Sequence, residues 1–364
     1  MHPFPRTIRT LFLIGVLALI PAVSAAAANV VITIDAGHGG SDSGAQKTYG
    51  NKNVREKNLN LTIATALKNE LNTYNGVTVY MTRTGDTTLS LDRRVDIAAS
   101  HNSDLLISAH NNTHGDSQMY SSGSSVLVSS GQYHADLANC TQSLGNLILS
   151  ALHDNPGTDT IGLYRRLSSS AKYPNGSRAD YYGLIRYGTN AGIPTLIVEH
   201  AFLDSKSDYK QFLSSSSALK RLASADSTAI AKYYGLSKKD GSVSYDAIGK
   251  PVRMISRHWM LKGGKYYYVR NNGTYKTGWA VLDTYTYRFS SSGAACTGLH
   301  NYLRDGRCGI YYFNKRGRMT TGWRQVKGNW YYFRKSSGRA FTNTTRTIRG
   351  ISYTFDDTGI CTNR

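Results

Sequence analysis

The stretch at residues 30–40, VVITIDAGHGG, constrains the fold more than any other part of the chain. β-favouring residues run into Asp35 and break at a glycine-rich turn that presents His38, a pattern typical of a buried strand that ends in a tight loop. Ligands of open α/β sheets bind in the crevice outside the carboxyl ends of the strands. Glycines beside His38 leave room for a substrate or metal to approach the backbone. The stretch therefore predicts a functional site at His38, with an ordinary surface histidine on a turn as the alternative.

Strand and helix patterns alternate from residue 29 to residue 235. Predicted strands cover residues 30–34, 77–81, 104–108, 125–128, 184–187 and 195–198. Predicted helices cover residues 57–71, 91–100, 133–152, 208–213 and 218–234. This alternation predicts an α/β domain of about 200 residues with helices on both faces of a sheet.

Polar residues recur at the predicted strand ends. His110 and Glu199 follow two predicted strands closely, and Glu56 stands just before a predicted helix. Taken alone, Glu56 could simply favour a helix N-terminus, but two imidazoles and a carboxylate also form the His₂Glu set of hydrolytic zinc sites. Glu199 would then be the general base that takes a proton from the attacking water. The chain has no HExxH motif, which excludes the common zinc-protease arrangement.

Four sequence blocks in this region resemble the zinc-dependent N-acetylmuramoyl-L-alanine amidases of the type 3 family. The blocks are IDAGHGGSDSGA, VREKNLNL, RTGDTTLSLDRRVDIAASHNSDLLISAHNN and IPTLIVEHAFLDSKSDY, in this order. The resemblance implies a mixed sheet between helices and one Zn²⁺ per chain. It also implies that His38, Glu56 and His110 are the zinc ligands and that Glu199 is the catalytic glutamate.

Three further residues are of interest beside this set. Asn112 belongs to an Asn pair where the family usually has a short residue, and Arg186 lies where the family tends to have an arginine; both are weaker substrate-binding candidates. Arg186 could bind a substrate carboxylate through two hydrogen bonds or form a surface ion pair. His200 follows Glu199, and because neighbours in a strand face opposite sides, we expect it to point away from the metal and pack.

The first 25 residues have the pattern of a secretion signal. Arg6 and Arg9 precede an apolar run, and small residues at 23–25 form a cleavage site. A membrane-spanning helix is the alternative, but Pro21 interrupts the run and a span needs roughly 20 apolar residues. We therefore expect a secreted protein with no permanent membrane anchor.

Export gives the four cysteines an oxidising environment, in which they could form two disulfides. Cys296 and Cys308 are close enough in sequence to pair, whereas the pairing of Cys140 and Cys361 is open.

Residues 236–250 are polar and aperiodic, which predicts a linker, and residues 251–364 contain a repeat. Five equivalent positions are spaced by 20, 20, 24 and 20 residues: Trp259, Trp279, Leu299, Trp323 and Asn343. Each is followed by an aromatic cluster and a glycine turn. The pattern of one unit predicts a β-hairpin of about 20 residues. Because a single hairpin cannot bury its aromatic residues, we expect the hairpins to stack on one another in an all-β hairpin-repeat solenoid.

The units resemble cell-wall repeats of the choline-binding or glucan-binding type. In the choline-binding version, neighbouring hairpins form aromatic cages that hold a quaternary ammonium. The candidate wall-ligand aromatics are Trp259, Trp279, Trp323, Trp330, Tyr267, Tyr312 and Tyr332. Two of the five repeat positions have lost their Trp, so not every cage can be intact.

Charge suggests a different ligand for the same repeats. From residue 241 onward there are 21 Lys+Arg against 5 Asp+Glu, which gives +16 of the chain's +20. Such a basic half favours an anionic wall polymer, with choline-bearing teichoic acid as the alternative. Nucleic acid is not an expected partner, because a secreted chain rarely meets any.

The sequence thus predicts a secreted peptidoglycan hydrolase that cleaves the amide bond between N-acetylmuramic acid and L-alanine. The expected organisation is a signal peptide at 1–25, a zinc amidase domain at 29–235, a linker at 236–250 and wall-binding repeats at 251–364. A zinc-dependent peptidase of the stem peptide and a non-catalytic wall-binding adhesin are the alternatives.

Overall fold

A computed structural model describes residues 29–114, 122–254, 258–270, 274–282 and 284–364. The predicted signal peptide at 1–25 lies outside the described residues. Within the described ranges, no helix combines the length and apolar character needed to cross a bilayer.

A six-stranded mixed sheet forms the centre of the first domain. Its strands run in the order β4-β1-β5-β10-β6-β7. The strands up to β10 are β1 (Val30–Ala36), β2 (Gln46–Tyr49), β3 (Lys52–Arg55), β4 (Val77–Met81), β5 (Leu105–Asn112), β6 (Ser124–Leu127), β7 (Thr160–Tyr164), β8 (Leu167–Lys172), β9 (Arg178–Asp180) and β10 (Thr195–Phe202). Strands β4, β1, β5 and β10 are parallel, and β6 pairs with β10 in the antiparallel sense. The mixed sheet is the one that the sequence predicted.

Helices cover both faces of this sheet. They are α1 (Glu56–Leu71), α2 (Leu91–Ser100), α3 (Ala135–Asp154), α4 (Gly183–Ala191), α5 (Lys206–Asp208), which continues into a π-helix (Tyr209–Leu213), and α6 (Ser216–Tyr234). Helices α1, α3 and α6 pack together on one face, and α2 packs against α4 on the other. Buried apolar side chains on both faces, such as Ile34 below α1 and Ile185 in α4, fix the strands whose ends form the site.

The structure departs from the predicted local structure in three ways. The predicted strand at 184–187 is part of helix α4, because its buried residues Leu184, Ile185, Gly188 and Thr189 recur at helical spacing. A short apolar run cannot distinguish a strand from a buried helix. Strands β5 and β10 continue beyond their predicted ends, so His110 and Glu199 lie within strands. Strand β7 of the central sheet and the β2–β3 and β8–β9 hairpins were not predicted at all.

All four cysteines are free, so the bridge that Cys296 and Cys308 could have formed is absent. Cys296 Sγ lies 3.1 Å from the hydroxyl of Tyr302. Cys308 is exposed and lies opposite Leu303 on the partner strand of its own hairpin. Proximity in sequence therefore does not lead to a disulfide here.

The C-terminal region consists of small antiparallel hairpins. Strand β11 (Val252–Met254) pairs with the first of them. The hairpins are β12 (Trp259–Lys262) with β13 (Lys265–Tyr268), β14 (Gly278–Leu282) with β15 (Tyr285–Phe289), β16 (Gly298–Arg304) with β17 (Arg307–Phe313), β18 (Gly322–Val326) with β19 (Asn329–Phe333), and β20 (Thr344–Ile348) with β21 (Ile351–Phe355). Each hairpin matches one predicted repeat. Backbone hydrogen bonds connect successive units, as from Met319 N to Thr286 O at 2.7 Å.

The first repeat strand is fixed to the α/β domain. Val252 and Met254 are buried in the main hydrophobic core, and Met254 N donates to Gly192 O at 2.6 Å. Arg253 Nη1 lies 3.0 Å from Asp104 Oδ1. The polar segment before β11 also contacts α6, because Gly249 N donates to Tyr233 O at 2.8 Å.

Candidate active site

Three of the predicted site residues form one cluster. The ligand atoms of His38, Glu56 and His110 all lie within 4.8 Å of one another. Glu56 Oε2 lies 3.1 Å from His38 Nε2, and Glu56 Oε1 lies 3.0 Å from His110 Nδ1. The loop after β1, the first residue of α1 and strand β5 each supply one of them. The fold thus brings distant parts of the chain to one point.

His38 is held in a strained conformation by residues that sequence reasoning missed. Its φ of 61° lies in the left-handed region, which non-glycine residues rarely adopt. Arg94 Nη2 donates to His38 O at 2.9 Å, and Arg83 Nη2 donates to Gly37 O at 3.0 Å. Both arginines are buried, and Asp35 pairs with Arg94 at 2.6 Å. The position of Arg94 in the sequence could have indicated that it is buried, since helical spacing places it on the same side of α2 as Val95 and Ala98.

Asp42 is a second residue that sequence reasoning missed. Its Oδ2 lies 2.9 Å from His38 Nδ1 and leaves Nε2 directed at Glu56. Carboxylates on the outer nitrogen of a histidine ligand are typical of zinc sites, where they fix the ring. The DAGHGGSD spacing, with an aspartate four residues after the histidine, was the available signal.

Glu56 is buried and surrounded by donors. Ala45 N at 2.9 Å and Asn60 Nδ2 at 3.1 Å donate to its carboxylate. Burial alone would raise the pKa of Glu56, but hydrogen bonds and charge from His110 and His38 hold it far below its usual range. Burial would lower the pKa of His110, yet the hydrogen bond and charge of Glu56 raise it to about 9. The carboxylate is therefore ionised and attracts positive charge to this point.

Two glycines allow the close approach of the backbone to this cluster. A Cβ at Gly37 would lie 2.1 Å from His110 Nε2, and a Cβ at Gly44 would lie 2.5 Å from Glu56 Oε2. The outer edge of the His110 ring thus packs on Gly37, which leaves Nδ1 on the side of Glu56. Two imidazole nitrogens and one carboxylate oxygen are a donor set that suits Zn²⁺. The residues present fit such an ion.

Glu199 lies on β10, directly opposite His110 on β5. Its Oε2 is buried and has no hydrogen-bond partner among the described residues. Burial raises the pKa of Glu199 to about 7, with His110 lowering it and Glu56 raising it. A carboxyl group with this pKa can both accept and release a proton near neutral pH.

His200 faces the opposite side of β10, as expected. It is fully buried, with Nε2 2.9 Å from Asp226 Oδ2 of α6 and Nδ1 3.0 Å from His110 O. It is therefore part of a buried ion pair and does more than fill apolar space.

The two weaker substrate candidates have different surroundings. Asn112 lies on β5 two residues after His110 and so on the same side of the strand. Arg186 lies on α4, where Nη1 donates to Asp180 O at 2.9 Å and Tyr181 O at 3.1 Å. These bonds hold the turn before α4, and its guanidinium has no contact with the three-residue cluster among the hydrogen bonds of the described residues.

The predicted wall-ligand aromatics lie in separate clusters. Trp259, Trp279 and Trp323 each pack on a tyrosine of the following hairpin, with ring centroids 4.9, 5.0 and 4.8 Å from Tyr287, Tyr311 and Tyr353 respectively. Trp330 and Tyr332 both pack near Trp323, with ring centroids 6.3 and 5.1 Å from its ring. Tyr267 lies 4.8 Å from Tyr275, and Tyr312 lies 6.1 Å from Phe333.

Comparisons with known proteins agree with this organisation. A family model described as N-acetylmuramoyl-L-alanine amidase matches residues 32–232, and one described as choline-binding repeat matches residues 309–344. The amidase CwlM of Bacillus licheniformis is 45% identical over 87 residues, which cover 24% of this chain and 33% of that protein. The sporulation-specific N-acetylmuramoyl-L-alanine amidase of Bacillus subtilis is 29% identical over 217 residues, covering 59% of this chain and 72% of that protein.

Among solved structures, an N-acetylmuramoyl-L-alanine amidase from Clostridium difficile 630 matches with a TM-score of 0.46 and 23% identity. The match covers 57% of this chain and 97% of that chain. The chain therefore spans nearly all of this solved structure but only about a third of CwlM.

Proposed function

Because the chain belongs to the N-acetylmuramoyl-L-alanine amidase family, we propose that it hydrolyses the amide bond between N-acetylmuramic acid and L-alanine in peptidoglycan. The observation that carries this proposal is the position of Glu199. A buried carboxylate oxygen with no hydrogen-bond partner among the described residues belongs to Glu199, on the strand next to that of His110 and inside the matched region. Such a group suits the transfer of a proton to and from the reacting atoms.

His38, Glu56 and His110 would hold one Zn²⁺. Their donor types and close grouping support this assignment, and Gly37 and Gly44 let the backbone pack closely against the ligand side chains. When bound, the ion would supply Lewis-acid polarisation of the amide carbonyl and a more acidic water. Asp42 would fix the ring of His38, and Arg83 and Arg94 would fix the loop that carries it.

Glu199 would act twice in one turnover. Its Oε2 first accepts a proton from the attacking water and then returns this proton to the leaving amine of L-alanine. The raised pKa of buried Glu199 suits both steps near neutral pH. Asn112, on the same side of β5 as His110, is the nearer candidate for substrate contact, and Arg186 is the weaker one.

The repeats would direct the enzyme to the cell wall. We propose that residues 1–25 export the chain, that residues 29–235 form the catalytic domain, and that residues 251–364 form a hairpin solenoid after the linker at 236–250. Packing of Trp259, Trp279 and Trp323 on the following hairpin supports a stack of hairpins. An anionic wall polymer or choline-bearing teichoic acid would be the ligand of this stack.

Product analysis on purified peptidoglycan tests the proposed activity. We expect new amino-terminal L-alanine to appear while the number of glycan reducing ends stays constant, and we expect neither change with Glu199→Gln. New amino termini from other stem-peptide residues would show a peptidase. Wall binding without any new amino terminus would show an adhesin.

A further inference from the structure

Two tryptophan clusters of the repeats are occupied by arginines of the same chain. The rings of Trp323 and Trp330 are nearly perpendicular, at 87°. Arg364 Cζ lies 4.0 Å from the centroid of Trp323 and 3.8 Å from that of Trp330. In a second cluster, formed by Trp279 and Tyr311, Arg304 Cζ lies 4.9 Å from the centroid of Trp279. In both clusters a guanidinium lies where the ring faces attract a cation.

An internal cation of this kind competes with a free one. A side chain tethered to the same fold has a high effective concentration at the cluster, of the order of millimolar or more. A quaternary ammonium would have to displace the guanidinium before it could contact both rings. Arg304 is held further, since Nη1 donates to Ser337 O at 3.3 Å.

We propose that Arg304 and Arg364 close these two clusters to quaternary ammonium, and that the repeats recognise phosphate groups at a separate pocket lined by Arg334 and Arg339. This inference rests on the proposed binding of the repeats to the cell wall. It is independent of the proposed hydrolysis.

The pocket lies between the hairpin β16–β17 and the segment 334–342 that follows β19, and it has a volume of about 220 Å³. Arg334 Nε is buried there without a hydrogen-bond partner among the described residues. The aliphatic part of Arg339 packs tightly on Gly309, where a Cβ would lie 2.3 Å from Cδ. The fold therefore holds two guanidinium groups beside one cavity, with Asp357 the single acidic side chain among the lining residues.

The charges around Arg334 favour an anion in this pocket. Burial and then the positive charges of Arg339 and Arg346 lower the pKa of the Arg334 guanidinium. An anion that enters the pocket would reduce the electrostatic repulsion among these like charges. Guanidinium groups offer a planar pair of donors that matches phosphate oxygens, so a phosphate-bearing polymer is the ligand that fits.

Tryptophan fluorescence during a choline chloride titration tests the closed clusters. We expect the full chain with Arg304→Ala and Arg364→Ala to reach its half-maximal change at about tenfold lower choline concentration than the natural chain. The control is Arg316→Ala with Lys335→Ala, which removes two exposed charges elsewhere in the repeats. Equal choline responses in the natural chain and the Arg304/Arg364 variant would overturn the proposal.

Binding of the full chain to short-chain inorganic polyphosphate tests the pocket. We expect Arg334→Ala with Arg339→Ala to weaken binding about tenfold, while Arg316→Ala with Lys335→Ala weakens it no more than about threefold. Equal losses would show that only net charge matters and would overturn the pocket.

A charge-conserving variant guards against a folding defect in this test. Arg334→Lys with Arg339→Lys keeps both charges but removes the planar donor pair, and we expect an intermediate loss at constant near-ultraviolet circular dichroism. Natural affinity in this variant would contradict recognition by the guanidinium groups. Amide hydrolysis of small soluble muropeptides stays unchanged in every one of these variants, so failure here is distinct from failure of the proposed enzyme activity.

Discussion

Gly37→Ala is the substitution for which the structure gives the sharpest expectation. The new Cβ would lie 2.1 Å from His110 Nε2, whereas ordinary contacts of a Cβ begin at 3.4 Å. The His110 ring must therefore move by more than about 1 Å, and its 3.0 Å contact with Glu56 cannot survive this shift. Displacement of a catalytic group by about 1 Å costs about 10²-fold in rate.

The assay compares amide hydrolysis of a soluble muropeptide, zinc content and thermal stability. We expect kcat/KM to fall about 100-fold and zinc affinity to fall about 10–100-fold, together with a modest fall in the melting temperature, because Gly37 is buried and the added methyl group overpacks the site. Gly85→Ala is the matched control, since it lies in the adjoining loop with nothing within 4 Å of its Cβ and no positive φ. Normal activity and zinc content in Gly37→Ala, or the same loss in both variants, would refute this reasoning.

Three other substitutions test separate parts of the site. Glu199→Gln keeps the shape of the side chain but not its base, so we expect zinc to be retained and turnover to fall about 10²–10⁴-fold, and near-normal turnover would place the base elsewhere. Asp42→Asn should weaken zinc binding about 10–100-fold in a chelator competition, less than the complete loss expected for His38→Ala, and an unchanged affinity would remove Asp42 from the site. Asp226→Ala leaves His200 buried without its partner, so we expect urea denaturation to show a loss of about 3–5 kcal/mol in the free energy of unfolding; a loss below about 1 kcal/mol would mean that the pair is not a significant support of β10.

The sequence predicted well where a residue pattern has a direct physical meaning. The apolar run of β1 and the glycines after it located His38, and the fold does bring His110 and Glu56 to the same point. The spacing of the repeat positions, three of which are Trp, located the five hairpins of the described repeat region, because a repeated unit places equivalent residues at nearly regular intervals.

The remainder depends on tertiary contacts that a linear pattern does not contain. Leu184 and Ile185 favour either a strand or a helix, and only their packing against α2 and the sheet decides for α4. Arg83 and Arg94 resemble ordinary surface charges in the sequence, yet they are buried because the loop after β1 offers them carbonyl acceptors. Arg364 lies far along the chain from Trp323, so nothing in the sequence indicates that its guanidinium covers the ring.

A zinc titration of the metal-depleted chain tests the central claim most directly, because it joins the metal, the ligands and the reaction in one measurement. We expect release of amino-terminal L-alanine from peptidoglycan to rise in proportion to bound Zn²⁺ and to saturate at one ion per chain, with no bound ion and no release for His110→Ala. Full release from chains that carry almost no zinc, or saturation at a site that His110→Ala leaves intact, would contradict the account.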